Sequence, residues 1–497
     1  LANIAFLHGN GYIADDVLYK LPVIRHLEGH DVYVASRIRS DVHLGPELQR
    51  LVGDRLYEDI RKGTGELSRS AKKYEFVYDS PHLGMQYAPE EIAEVERWLG
   101  MPLRYLASFD KDFYDRERRR DLRDPAELTS LAAGLTLFFR DFFKANCIRA
   151  FFTNMEDDVF SISALYVARR LGIRVIGYTY SKFPKKGVWL RDDIRDVFAW
   201  DDRLADWGEI EPQYTEDTIA GRWVMERNAA YYSLASLRQR LRGLGFNRGY
   251  RRYIDHVIRQ YPYERNIIEC TSLYREARKF VTSFVRRRLV RGIVSEPDYG
   301  EKYVLFALHY MNDAQVSYRE PMLDQFELIR NIARALPASC RLYVKPHPHF
   351  FGSDVSFRDL NGLRQFDNVR IVNPAAPPQK LIRNAQCVVT VNSATGFEAI
   401  IMGVPVVSLG HDFYCRDDLC TLVRDLNDLP AALLKAMGGQ DGRDRGHAKD
   451  FVRSLYAHTI WVKGVQYSFG YYGLSEDEGK AVAQAMNAIL DKYCGKP

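Results

Sequence analysis

Lys345-Pro346-His347-Pro348 closes an apolar run, Cys340 to Val344, and Asn392-Ser393-Ala394-Thr395-Gly396-Phe397-Glu398 follows another, Cys387 to Val391. The first stretch supplies an ammonium and an imidazole between two prolines, which fix the backbone and remove two donors. The second is a small polar turn ahead of a helix-like run, Phe397 to Met402. A helix N-terminus offers free N–H groups and partial positive charge, which suits phosphate. Ser393 and Thr395 fit a ligand contact and fit simple capping equally well. Glu398, in the first turn, has a carboxylate able to accept from both hydroxyls of a ribose; it also suits the helix dipole without any ligand. Together the two stretches predict a pocket for a phosphorylated ligand such as a nucleotide sugar. Its candidate binding residues are Lys345, His347, Pro348, Asn392, Ser393, Thr395, Gly396 and Glu398.

Three further constellations follow strand-like runs. His309, in Leu308-His309-Tyr310-Met311-Asn312-Asp313-Ala314-Gln315, would stand at the lip of the same pocket, although a polar loop with a helix cap accounts for these residues equally well. His8-Gly9-Asn10-Gly11 is a glycine turn without the full dinucleotide fingerprint. Gly9, Asn10 and Gly11 there suit the close approach of an acceptor, as does Lys182 further on. Sugar transfer needs a carboxylate or His to take the acceptor's proton or to stabilise an oxocarbenium-like centre. Asp16, Glu156, Asp157 and His347 are the catalytic candidates, and each acidic one reads equally as a helix cap. No Asp-x-Asp pattern follows these strand-like runs, so no obligatory metal or other cofactor is expected; the adjacent Asp157-Asp158 is slight support for a metal.

The elements needed to position these residues are legible as alternating strands and helices. Ile4–Leu7 is strand-like, Val17, Leu18, Leu21, Ile24 and Leu27 have helical spacing, and Asp31–Ala35 is strand-like again. Strands are expected at Phe76–Tyr78, Ala150–Thr153, Arg174–Tyr178 and Val197–Trp200, with helices at Leu128–Phe143 and Ile162–Leu171. A second series has strands at 303–308, 341–345, 369–372, 387–391 and 405–408, and a helix at Glu476–Leu490. The fold class is therefore α/β: two Rossmann-like domains facing a cleft, with ligands outside the carboxyl ends of the strands. The boundaries are 1–200 for an acceptor domain, 201–301 for a mainly helical connection, 302–440 for a nucleotide-sugar domain and 441–497 for a helical end.

At 497 residues the chain exceeds one ordinary core. Its net charge of +5 does not point to nucleic acid, and would suit an acidic sugar or an anionic surface. Seven scattered cysteines without zinc-ligand spacing read as reduced thiols of a cytoplasmic protein. No secretory signal opens the sequence, and no apolar run approaches the roughly 20 residues of a spanning helix. The segment Arg278–Arg291 is a basic amphipathic helix candidate, read first as a solvated face and second as a foot on anionic lipid.

Leu308-His309-Tyr310…Gln315, Tyr343-Val344-Lys345-Pro346-His347-Pro348 and Val391–Ala399 with Gly403-Val404-Pro405-Val406-Val407 resemble the capsular polysaccharide biosynthesis and export family, which includes bacterial β-Kdo transferases. The His-Pro and Ser/Thr motifs are also similar to those of bacterial sialyltransferases. The resemblance covers roughly residues 303 to 410. It departs where many relatives carry Ser-Ser or Ser-Leu-Thr and this chain has Ser393-Ala394-Thr395. It implies a GT-B fold, a nucleotide-activated and often CMP-activated sugar, and phosphate held by His347 and the Ser393–Thr395 turn. The expected partners are a nucleotide sugar and an oligosaccharide or lipid-linked glycan, with peripheral contact at the inner face of the cytoplasmic membrane. A teichoic-type polyol-phosphate transferase using a CDP donor, and a non-catalytic glycan-binding or export-assembly protein, are the competing readings.

Overall fold

The computed structural model describes residues 2–8, 20–27, 29–36, 65–107, 125–154, 159–184, 187–193, 196–215, 285, 289, 292–309, 323–347, 357–438, 445–462 and 474–494. The chain divides into two compact units. The first combines Leu1–Asp202 with His458–Pro497, and the second includes Thr271–Ala457.

In unit 1, β1 (Asn3–His8), β2 (Asp31–Ser36), β3 (Lys73–Phe76), β4 (Ala150–Asn154) and β5 (Arg174–Tyr180) form a parallel sheet in the order β3-β2-β1-β4-β5. Ile4, Phe6, Val32, Val34, Ala150 and Phe152 share its core, as expected of strands covered on both faces. Helices α1 (Pro125–Ala145) and α2 (Val159–Arg170) accompany these strands. Phe139 and Phe143 of α1 pack on Phe160 and Phe151.

Three details differ from the sequence expectations. The edge strand β3 ends at Phe76, and Val77–Asp79 is a single 3-10 turn rather than strand. Pairing with β2 on one side only, β3 tolerates the polar run Lys73-Tyr74-Glu75, which hid it. The expected strand at Val197–Trp200 shrinks to β7 (Asp196–Val197). It pairs with an unanticipated antiparallel strand, β6 (Gly187–Asp192), which extends the sheet beyond β5.

After two short helices, α3 (Trp207–Ile210) and α4 (Pro212–Thr215), unit 2 builds a second sheet. Its strands are β8 (Tyr303–Ala307), β9 (Arg341–Lys345), β10 (Val369–Ile371), β11 (Cys387–Thr390), β12 (Val406–Ser408) and β13 (Thr421–Leu422). All the pairings are parallel, in the order β10-β9-β8-β11-β12-β13. Renumbered from β8, this is the 3-2-1-4-5-6 order of the doubly wound dinucleotide-binding sheet. Helices α5 (Gln325–Ala335), α6 (Pro378–Asn384), α7 (Ala394–Ile401) and α8 (Leu429–Met437) connect or flank the strands. Val304, Phe306, Leu342, Val344, Val389 and Val407 lie in one core with Ile329 and Ile332 of α5 and Leu433 of α8.

The segment expected as one helical end, 441–497, is divided between the units. Helix α9 (Arg445–Ala457) belongs to unit 2, whereas β14 (Ile460–Trp461) and α10 (Glu476–Cys494) complete unit 1. β14 pairs antiparallel with β6. Gly187 makes this approach possible, since a Cβ there would stand 2.3 Å from Thr459 Cγ2. Val482, Met486 and Ile489 of α10 enter the unit 1 core. Among the described residues Cys147, Cys340, Cys387, Cys415 and Cys420 form no disulfide. Among the described residues no helix is long and apolar enough to cross a membrane. Apart from Val285 and Leu289, both exposed, the basic segment Arg278–Arg291 lies outside the described residues up to that point.

Candidate donor site in unit 2

A doubly wound sheet opens a crevice at the carboxyl ends of the two strands between which the chain order reverses. In unit 2 these are β8 and β11, with Leu305 opposite Val388 and Phe306 opposite Val389. β9 lies on the other side of β8. The three motif-bearing segments, 308–309, 345–347 and 391–396, therefore leave three adjacent strand ends on the same side of the sheet.

The segment after β8 is fastened first. His309 is buried; its N–H donates to Gln325 Oε1 at 2.9 Å, and its carbonyl accepts from Gln325 Nε2 at 3.4 Å. Gln325 opens α5, where Asp324 Oδ1 caps the helix by accepting from the N–H of Phe326 at 2.8 Å. Leu308 N donates to Lys345 O at 2.9 Å, linking the ends of β8 and β9.

The turn after β11 is held just as firmly. Ser393 is the N-cap of α7, its Oγ accepting from Thr395 N at 3.2 Å and donating to Thr395 Oγ1 at 3.1 Å. Ser393 N donates to Thr390 Oγ1, and Ser393 O accepts from the Tyr414 hydroxyl at 2.6 Å. Asn392 is fully buried, and its Oδ1 accepts from His411 N at 2.9 Å, so that this side chain fixes the neighbouring loop. Gly396 is required by close approach, since a Cβ would meet Thr390 Cγ2 at 2.7 Å and Tyr414 Oη at 2.8 Å. Gly396→Ala should therefore cost about 1–3 kcal/mol through overpacking. Urea denaturation measures this, and an unchanged midpoint would contradict the packing described.

Lys345 corrects one expectation. Its ammonium does not stand free for a phosphate: it is buried and donates to Pro374 O at 2.9 Å. Burial lowers it to about 8, while the Glu398 charge raises it. Burial raises the half-buried Glu398 to about 7, while the Lys345 charge lowers it. The two groups thus act on each other through space, and Glu398 Oε2 is buried without a hydrogen-bond partner among the described residues. The linkage has a definite sign. The folded chain holds the Glu398 proton more tightly than the unfolded chain, so this group's contribution to stability is complete below about pH 4.5 and is lost as pH rises through about 7. Glu398→Gln cannot titrate and should lack that fall between pH 5 and 7. Parallel melting-temperature profiles for the two proteins would contradict a buried carboxyl.

His347 is exposed at the end of the β9 segment, whereas Pro348 lies outside the described residues. So do Gly9, Asn10, Gly11, Asp16, Glu156 and Asp157 of the expected acceptor and catalytic sets. The strands that precede Gly9 and Glu156, β1 and β4, are adjacent and parallel, and they are the pair at which the order of the unit 1 sheet reverses. Lys182 sits half-buried in the connection from β5 to β6. Tyr414, which steadies the Ser393 turn, went unnoticed in the sequence: Asp412-Phe413-Tyr414-Cys415 has no motif spacing, and its neighbours are set by tertiary contact.

Comparison with known proteins gives partial matches. Protein FixF of Sinorhizobium fredii (strain NBRC 101917 / NGR234) is 28% identical over 176 residues, 34% of this chain and 42% of FixF. The capsule polysaccharide export protein KpsS of Escherichia coli is 26% identical over 175 residues, 32% of this chain and 44% of KpsS. The chain thus matches less than half the length of each relative. A solved structure, Thermosulfurimonas dismutans KpsC, β-Kdo 2,7 transferase, aligns with 71% of this chain and 90% of its own at 16% identity and a TM-score of 0.32. Likeness at that level leaves the fold resting on the strand order. The family model for capsule polysaccharide biosynthesis proteins matches residues 222–421, beginning well before the motifs and ending at the first residue of β13. Over that stretch the chain is similar to the capsule polysaccharide biosynthesis family.

Proposed function

We propose that the chain is a glycosyltransferase that moves a sugar from a nucleotide-activated donor, of the CMP-Kdo kind, to a bacterial surface polysaccharide or glycolipid. One observation carries the reading. A buried carboxylate oxygen of Glu398, without a hydrogen-bond partner among the described residues, lies in the second turn of a capped helix at the switch point of a 3-2-1-4-5-6 sheet. The helix N-terminus suits a phosphate, and a carboxylate one turn further in suits a ribose. The match of residues 222–421 to the capsule polysaccharide biosynthesis family supports a capsule-like product.

In this reading the phosphate rests between the exposed His347 imidazole and the N-terminus of α7. Glu398 accepts from the ribose hydroxyls, and the Lys345 charge favours the ionised carboxylate against the burial that raises it. An acceptor hydroxyl attacks the anomeric carbon as its bond to the phosphate oxygen breaks. The electron pair leaves with the nucleotide, where His347 and the helix dipole stabilise the growing charge. The hydroxyl proton passes to a carboxylate, for which Asp16, Glu156 and Asp157 are the sequence candidates. The work takes place in the cytoplasm, with peripheral contact at the inner face of the membrane for a lipid-linked acceptor.

Product mass tests the reaction. Incubation with CMP-Kdo and a Kdo-terminated glycolipid should add one Kdo residue. Addition of a phosphoglycerol from CDP-glycerol instead would move the chain to the teichoic type, and no product from either donor would favour a binding protein.

A further inference from the structure

The segment between the two sheets places a second unsatisfied oxygen near Glu398. Tyr214, in the short helix α4, is 3% exposed, and its hydroxyl is buried without a hydrogen-bond partner among the described residues. The position of its backbone is fixed: Tyr214 O accepts from Arg383 Nη1 at 3.1 Å. Arg383 closes α6, and α6 packs on α7, the helix that carries Glu398. The preceding residue is tethered too, Gln213 Nε2 donating to the Tyr456 hydroxyl of α9 at 3.3 Å. Burial raises the Tyr214 phenol far above its ordinary range, and the Glu398 charge raises it further, so the two oxygens lie within electrostatic reach of each other. Buried polar atoms in native proteins nearly always have partners. Two without one, brought together from segments far apart in sequence, mark a place for a polar ligand group. A phenol donates one hydrogen bond and a carboxylate accepts. A vicinal diol satisfies both, one hydroxyl donating to Glu398 and the other accepting from Tyr214.

We propose that Tyr214 is a specificity-determining residue of the donor site, donating from its hydroxyl to the ribose 2′-hydroxyl while Glu398 accepts from the same diol, so that the site selects ribonucleotides over 2′-deoxyribonucleotides. The proposal rests on the donor-site reading above. A site that hydrogen-bonds a substrate hydroxyl rejects the analogue without it, because its own buried groups are then left unpaired.

The experiment is equilibrium binding of CMP, 2′-deoxy-CMP, UDP and 2′-deoxy-UDP to the wild-type chain and to Tyr214→Phe by titration calorimetry. The wild type should bind the ribonucleotide about tenfold or more tighter than its deoxy counterpart. Tyr214→Phe should lose about five- to tenfold in ribonucleotide affinity and keep its deoxy affinity within about twofold. The variant deletes a hydroxyl without a hydrogen-bond partner among the described residues, so its melting temperature should equal or exceed that of the wild type. A drop of several degrees would mean that the hydroxyl is structural, and would overturn the proposal. Ribonucleotide and deoxyribonucleotide binding equally well, in both proteins, would overturn it while the donor site stood. No binding of any of the four by the wild type would overturn the donor-site reading with it.

Discussion

Glu398→Gln should lower ribonucleotide affinity roughly a hundredfold, by about 2–3 kcal/mol, while the protein stays folded. The size of the effect follows from what the amide cannot do. An ionised carboxylate accepts a charge-assisted hydrogen bond from each hydroxyl of a diol. The isosteric amide offers one neutral acceptor and places an NH₂ where the second acceptor stood. Lys345 strengthens the contrast: its buried ammonium, held by Pro374 O, balances a carboxylate and has nothing to balance in the amide. Wild-type affinity should also rise with pH as Glu398 ionises near 7, and the variant's should not. Calorimetric titration from pH 6 to 8 reads both effects. Equal affinities, or a shared pH profile, would remove Glu398 from the site.

His347→Ala should reduce transfer by about 10²- to 10³-fold, the scale seen when one group that stabilises developing charge is removed. The effect should fall mainly on kcat, because the imidazole meets more charge on the phosphate in the transition state than in the bound donor. His347 is exposed, whereas the neighbouring Lys345 is buried and tied to a carbonyl. Of the two basic side chains at the end of β9, His347 is the one exposed to solvent. An exposed residue also contributes little to folding, so a stable and inactive variant is expected. Undiminished turnover would sink this assignment.

The parts of the fold legible in the sequence were those that parallel sheets impose locally. Val388-Val389 and Val304-Leu305-Phe306 are unbroken apolar runs because both faces of those strands are covered. The polar turn after each run was legible for the same reason, which is how Ser393, Glu398 and His347 came into view. What failed to show was decided by partners distant in sequence. β6 pairs with β14 about 270 residues away, and Trp189 Nε1 donates to Thr459 Oγ1 across that separation. A lysine at a strand end has an inward and an outward choice, and the nearby carboxylate of Glu398 and the carbonyl of Pro374 turn Lys345 inward. Tyr214 and Tyr414 have no motif at all, and what they do depends on helices and loops that fold back onto α7.

The central claim is that unit 2 binds an activated nucleotide at the β8–β11 switch point. Thermal unfolding with CMP, CDP, UDP, GDP and dTDP tests it most directly, since a ligand that binds only the folded chain adds about 2.7 kcal/mol of stability at a hundredfold excess over its Kd. CMP should give a saturable rise in melting temperature, weakened in His347→Ala and in Glu398→Gln. A flat melting temperature across all five nucleotides would contradict it.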